Sequence, residues 1–171
     1  MQMNFLKFFT LSIGISFLLF CSVVNAAAIK GEFMQYKQFT GFAKPFISSG
    51  VFSLIDEKLI WDVKTPVESK LVIENGQLLA QDANGELVPQ PGSEQFVGLL
   101  SDLLSVNMSA LETRFNIIKT QDSCTQLAPK EALLKQLFSD FVLCESNKQV
   151  SSITLNEHSG NNTKIEFTYS K

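Results

Sequence analysis

The stretch from residue 41 to residue 76, GFAKPFISSGVFSLIDEKLIWDVKTPVESKLVIENG, constrains this chain more than any other part. Its apolar side chains fall at alternate positions, and a period of two marks strands with one dry face and one wet face. Ser49-Gly50, Asp56-Glu57, Pro66 and Asn75-Gly76 punctuate the block, which predicts three short strands. The dry face carries large groups: Phe52, Leu54, Leu59 and Trp61. The block holds no nucleophile motif, metal-ligand cluster or phosphate loop. A strongly apolar, concave sheet face without chemistry predicts a protein that holds something greasy.

The rest of the chain extends the β pattern, with two helical interruptions. Residues 31–39 form a first strand with imperfect alternation, and Phe42 and Phe46 flank Pro45, which suits an edge or a kinked connection. Asn75-Gly76 and Asn84-Gly85 are two-residue hairpin signals, because Asn and Gly accept the positive φ of a type I′ turn. They predict an antiparallel meander of residues 70–74, 77–81 and 86–88. Ser93 then reads as an N-cap with an incomplete capping box. Phe96, Leu99, Leu100, Leu103 and Leu104 recur at helical spacing over residues 93–104, one apolar stripe that should lie on a hydrophobic surface. A weak helical turn is predicted at 109–112, and strands at 114–119 and 123–127. One or two helical turns follow over 129–138, with Pro129 near the first helical position. Strands at 141–144, 149–156 and 164–169 complete the chain, the last two joined by a polar turn at 158–162.

The 171 residues suffice for one domain with a real core. Lys7, an apolar run over residues 8–24 and the small residues Val24-Asn25-Ala26 predict a secretory leader over 1–26, with 27–171 as the exported domain. An uncleaved anchor is the alternative, since the run approaches the about 17 residues a spanning helix needs. Lipidation at Cys21 is disfavoured by Phe20, which stands where a small residue is wanted. Without Lys7 the chain carries 13 basic and 17 acidic side chains, net −4. Such a chain, with Arg114 as its only arginine, has no polybasic surface for nucleic acid.

Export leaves Cys124 and Cys144, an even count in an oxidising compartment, so a disulfide is the natural reading. Closing a loop of about 20 residues would contribute roughly 3 kcal/mol. Two buried free thiols or a redox pair are the alternatives, though the spacing is not Cys-x-x-Cys. His158, the single histidine, falls in a polar turn, so a metal site or a Ser-His-Asp triad is hard to build. No G-x-S-x-G elbow occurs. The reading is therefore non-enzymatic, with no cofactor and no metal.

Phe33 and Gln38 in a first strand, Ser49-Gly50, Trp61 followed by Pro66 five residues later, an apolar strand and a hairpin at Gly76 form an ordered set of landmarks. Leu127-x-Pro129-Lys130 before a short helix, and two closing antiparallel strands, continue it. Together they resemble the LolA-type carriers, periplasmic proteins that move lipoproteins between two bacterial membranes, over nearly all of residues 31–170. The resemblance implies a mainly β fold: an incomplete, strongly curved antiparallel β-barrel covered by short α-helices, with acyl chains held between sheet and helices. The helix over 93–104 would be the lid. The family carries an arginine latch in the hairpin before the motif tryptophan. Here that hairpin reads Ile55-Asp56-Glu57-Lys58, so the latch is absent or replaced, with Lys58 as the candidate. The chain also ends soon after its last strand; both features imply a divergent branch whose cargo need not be a triacylated lipoprotein.

The residues expected to line the cavity are Phe52, Leu54, Leu59, Trp61, Leu71 and Ile73 from the sheet, and Phe96, Leu99, Leu100 and Leu103 from the lid. Phe115, Ile117, Ile153, Leu155, Ile165 and Phe167 are further candidates. A packed core would use the same residues, and the resemblance tilts the reading toward a cavity. It implies a monomeric periplasmic carrier of an acylated lipid or lipoprotein, an inner-membrane exporter that loads it and an outer-membrane acceptor that unloads it. A lipid-sensing or structural module with the same half-barrel is the rival reading, and a small secreted hydrolase a second, without a catalytic constellation to support it.

Overall fold

The computed structural model describes residues 28–91 and 99–170. The predicted leader, and Ser93 and Phe96 of the predicted lid helix, lie outside the described residues. The first half is a meander: β1 (Ile29–Gln38), β2 (Phe46–Ile55), β3 (Lys58–Thr65), β4 (Ser69–Glu74), β5 (Gln77–Gln81) and β6 (Leu87–Pro89). Two helices follow, α1 (Leu99–Leu104) and α2 (Met108–Arg114). The second half comprises β7 (Phe115–Gln121), β8 (Cys124–Pro129), α3 (Ala132–Leu137), β9 (Phe138–Ser146), β10 (Gln149–Glu157) and β11 (Asn162–Tyr169).

The eleven strands among the described residues form one antiparallel sheet in the order β6-β5-β4-β3-β2-β1-β11-β10-β9-β8-β7. The first strand sits at the centre because β11 returns to its free side, with Phe33 opposite Phe167 and Gln35 opposite Ile165. The sheet is not closed: β6 and β7 are its two edges. Helices α1 and α2 lie between those edges in the chain, and Leu99, Leu103, Leu104 and Leu111 enter the same core as Phe33, Phe52, Leu59, Trp61, Ile153 and Phe167. This is the expected incomplete barrel with helical cover.

The opening block folds as β2, β3 and β4, with Phe52 opposite Trp61 and Leu54 opposite Leu59 on the buried face. Ser49-Gly50 is no turn; it lies inside β2, at a register shift against β3. A Cβ on Gly50 would sit 2.0 Å from the Asp62 carbonyl oxygen, so the glycine serves close backbone approach at an irregular point in the strand.

The two Asn-Gly pairs behave differently. Asn75 and Gly76 both take positive φ, 52° and 72°, as a type I′ turn requires. At the second pair only Gly85 does so, at 85°, and the connection is a longer loop organised by Asp82. One Asp82 carboxylate oxygen accepts from the N–H groups of Asn84 and Glu86, each at 2.9 Å, so the next strand begins at Leu87 rather than at residue 86. Local carboxylate capping competes with the hairpin here.

Three further boundaries differ from expectation. Pro129 ends β8 instead of opening a helix, and α3 starts only after Glu131. The weak helical signal near residue 109 becomes α2, with the Asn107 side chain accepting from the Ala110 N–H at 3.1 Å. Strands β9, β10 and β11 are longer than predicted because pairing with their neighbours carries them past their apolar cores.

Candidate functional site

Alternation along β1 puts Phe33 and Gln35 on the concave face, and the register then aligns Ile165 with Gln35. Across β2, the same face receives Phe52, then Leu59 and Trp61 from β3, Leu71 and Ile73 from β4, and Leu78 from β5. Gln35, Leu59, Trp61, Leu71, Ile73, Leu78 and Ile165, together with Leu100 of α1, surround a cavity of about 200 Å³. Among the described residues its wall is apolar apart from the Gln35 amide, and they offer hydrocarbon a seat but no acid, base or nucleophile. Among the described residues, no three His, Cys, Asp or Glu side chains gather as metal ligands.

Below this cavity the floor is aromatic. Phe33 stacks on Trp61 with ring centroids 3.8 Å apart. Phe167 meets Phe52 edge-on at 5.4 Å and Trp61 at 6.2 Å, and Tyr169 meets Phe52 at 5.7 Å. Large rings are thereby locked against one another, leaving the emptier space toward the smaller side chains of β4 and β5. Burial pushes the Tyr169 phenol up to about 12.

The structure sorts the predicted lining residues into groups. Leu59, Trp61, Leu71, Ile73, Leu100 and Ile165 reach the cavity. Leu71 remains 37 % exposed, which places it at the rim. Phe52, Leu54, Leu99, Leu103, Ile153 and Phe167 are buried in the adjoining core, and Leu155 is packed against it. Phe115 is buried in the same core but off the cavity wall, its ring 5.0 Å from Phe141, which in turn lies 5.0 Å from Phe138. Ile117 is 44 % exposed on β7 and does not line the cavity; beyond Phe115 that strand presents only exposed residues. Edge strands with one neighbour bury little, and alternation alone does not say which strand is an edge.

Gln35 and Leu78 were not singled out from the sequence. A signal for Leu78 existed, since a two-residue turn at Asn75-Gly76 forces Ile73 opposite Leu78. Gln35 is polar, and only its place two residues beyond Phe33 on one strand face identifies it.

The helical cover is fastened by charge. Arg114, at the end of α2, reaches Asp102 of α1 and Glu131 before α3, each at 3.4 Å. Burial raises the Asp102 carboxyl above the usual range, an effect that the Arg114 guanidinium opposes. The Lys130 backbone N–H donates to the Arg114 carbonyl at 2.7 Å, tying the same point to β8. Lys58, the candidate for the family's latch, bonds within the sheet rather than to α1 among the described residues. Its ammonium pairs with Glu74 at 3.1 Å, within the β3–β4 part of the sheet. Only the fold brings Arg114 to α1, twelve residues along the chain from Asp102.

On β8 and β9, Cys124 and Cys144 stand directly opposite each other and form a disulfide, with Cα atoms 4.0 Å apart. This settles the cysteine pairing.

A family model described as outer membrane lipoprotein carrier protein LolA matches residues 24–171. Among solved structures, the chain is similar to MucB in the Pseudomonas aeruginosa MucA/MucB complex: 12 % identity, TM-score 0.46, covering 84 % of this chain and 51 % of that one. It thus spans about half the length of that relative. It is also similar to a DUF1329 family protein from Desulfovibrio piger, at 11 % identity and TM-score 0.46, with 85 % of each chain covered. A third likeness is to a LolA superfamily protein from Nitrosomonas europaea, at 8 % identity and TM-score 0.41, with 84 % of each covered. Among curated proteins, none matches significantly.

Proposed function

The chain belongs to the LolA family of outer membrane lipoprotein carrier proteins, and from that premise we propose that it is a periplasmic carrier of an acylated lipid or lipoprotein. One observation carries the reading: an apolar cavity bounded by Trp61 and its sheet neighbours on one side and by Leu100 of α1 on the other. Its volume of about 200 Å³ falls below the roughly 300–1,000 Å³ of pockets that enclose drug-sized ligands. Acyl chains of ordinary length would enter by displacing α1. Burying a methylene against the helix or against a lipid yields about 0.8 kcal/mol in either case, so cargo can exchange for the lid on nearly equal terms. Loading from an inner-membrane exporter and unloading to an outer-membrane acceptor would use that exchange in opposite directions. The protein acts in this reading without cofactor or catalysis.

Native mass spectrometry of the protein purified from the periplasm tests it. A co-purifying acylated species, displaced by N-phenylnaphthylamine, is the expected result. Leu100→Glu should weaken that probe's binding at least tenfold, since a carboxylate would have to enter the apolar wall. Ile117→Glu, on the exposed strand β7, should leave it unchanged. A protein that carries no lipid and binds no probe would sink the proposal.

A further inference from the structure

The connection between β1 and β2 carries an exposed aromatic knob. Phe39, Phe42 and Phe46 pack on one another with centroids 5.5–6.2 Å apart. They are nevertheless 36 %, 59 % and 58 % exposed. Three large rings that touch chiefly each other do not stabilise a core. We propose that this hairpin tip is a membrane-docking element that seats its phenylalanines in the headgroup region of an anionic bilayer.

Three observations favour a bilayer over a protein pocket. The first is charge. Residues 33–55 contain no Asp or Glu, in a chain with 17 of them, but they include Lys37 and Lys44. The Lys37 ammonium lies 5.5 Å from the centre of the Phe39 ring, and Lys44 is exposed between Phe42 and Phe46. Lys37 is already paired with Glu157, so Lys44, set among the exposed aromatics, is the cation that suits an anionic lipid interface.

The second is polar satisfaction. The Gln38 side-chain amide donates to the carbonyls of Phe39 at 3.0 Å and Phe42 at 2.5 Å, and the Phe42 N–H donates to the Phe39 carbonyl at 3.1 Å. The Thr40 N–H donates to the Asn161 side chain at 2.9 Å. Backbone groups paired in this way lose little on leaving water, which matters in lipid more than in a polar protein interface.

The third is position. Phe39 continues the concave side of β1 beyond Gln35, which lines the cavity, and Lys37, which pairs with Glu157 of β10. At the same end of the sheet, Val67 is exposed in the β3–β4 turn. The aromatic tip therefore stands at the end of the strand that carries Gln35 into the cavity wall. Docking there would present the cavity to the membrane; it rests on the carrier reading only for its purpose, because bilayer binding is measured separately from cargo binding.

The test is flotation of the exported protein with vesicles of phosphatidylethanolamine and phosphatidylglycerol. Replacing two rings with Phe42→Ser and Phe46→Ser should lower vesicle partition by about tenfold or more. Lys44→Gln should lower it less, and more visibly at low salt. N-phenylnaphthylamine binding by these variants should be unchanged. A second measurement uses Phe42→Trp, whose emission should shift to shorter wavelength when the vesicles are added. Wild-type protein that floats no better than the double variant, or a Trp emission indifferent to vesicles, would overturn the proposal. So would a wild-type dimer that the double variant dissolves, because the knob would then be a contact between copies. Vesicle binding retained in a protein that binds no probe would count against the carrier reading and leave the docking tip standing.

Discussion

The ring of Phe33 lies on the indole of Trp61, planes 24° apart, reaching across β2 at the point where Gly50 stands opposite Phe33. A Cβ on Gly50 would meet the backbone of Asp62 and Val63 before either ring, so the glycine lets β2 and β3 approach closely beside the stacked pair.

Gly50→Ala should therefore destabilise the protein by about 2 kcal/mol or more, well beyond an ordinary surface change. The new Cβ would collide with the Asp62 carbonyl oxygen and the Val63 Cα, both backbone atoms that cannot swing away. Urea unfolding followed by Trp61 fluorescence reads both the loss of stability and the changed environment of the indole. A variant as stable as wild type, with unaltered emission, would refute the arrangement.

Arg114→Ala should loosen α1, because the partly buried Asp102 carboxylate loses the guanidinium that offsets its burial. A cost of about 1–2 kcal/mol is expected, with faster amide exchange in α1 and easier uptake of a fluorescent acyl probe. Asp102→Asn should stay within about 0.5 kcal/mol of wild type, since burial works against the charge there more than Arg114 works for it. Equal effects of the two substitutions would contradict this balance.

Tyr169 makes a prediction at high pH. Its phenol is held at about 12 in the folded protein, against about 10 for an unperturbed tyrosine. Between those values the unfolded chain loses a proton that the folded one keeps. Stability from this group is therefore full below pH 10 and falls as pH rises toward 12. Tyr169→Phe should flatten that part of the profile while leaving neutral-pH stability close to wild type. Thermal unfolding across pH 9–12 checks both halves.

Replacing both cysteines by serine should lower stability by about 2–4 kcal/mol, from reopening a loop with a sequence separation of 20. Probe binding should survive, because Cys124 and Cys144 lie outside the cavity wall. Denaturant midpoints with and without reductant give the comparison on wild-type protein.

Much of this protein is legible in its sequence. Alternation and Asn75-Gly76 set the meander of β2 to β5, because a period of two and a turn of two residues leave one register that keeps Phe52, Leu59 and Trp61 on a shared face. The helical spacing of Leu99, Leu100, Leu103 and Leu104 likewise gave a stripe that must cover something apolar. Which residues would close the site was not legible. Leu71 and Ile117 are both apolar members of alternating or near-alternating strands, yet one faces the cavity rim and the other solvent.

Local pattern determines the element and its two faces, since those follow from covalent geometry repeated along the chain. Tertiary structure alone decided that β11 would pair with β1, that Arg114 would reach Asp102, and that Phe39, Phe42 and Phe46 would gather without a core to enter. Those outcomes depend on contacts between residues distant in sequence, whose energies no single segment contains.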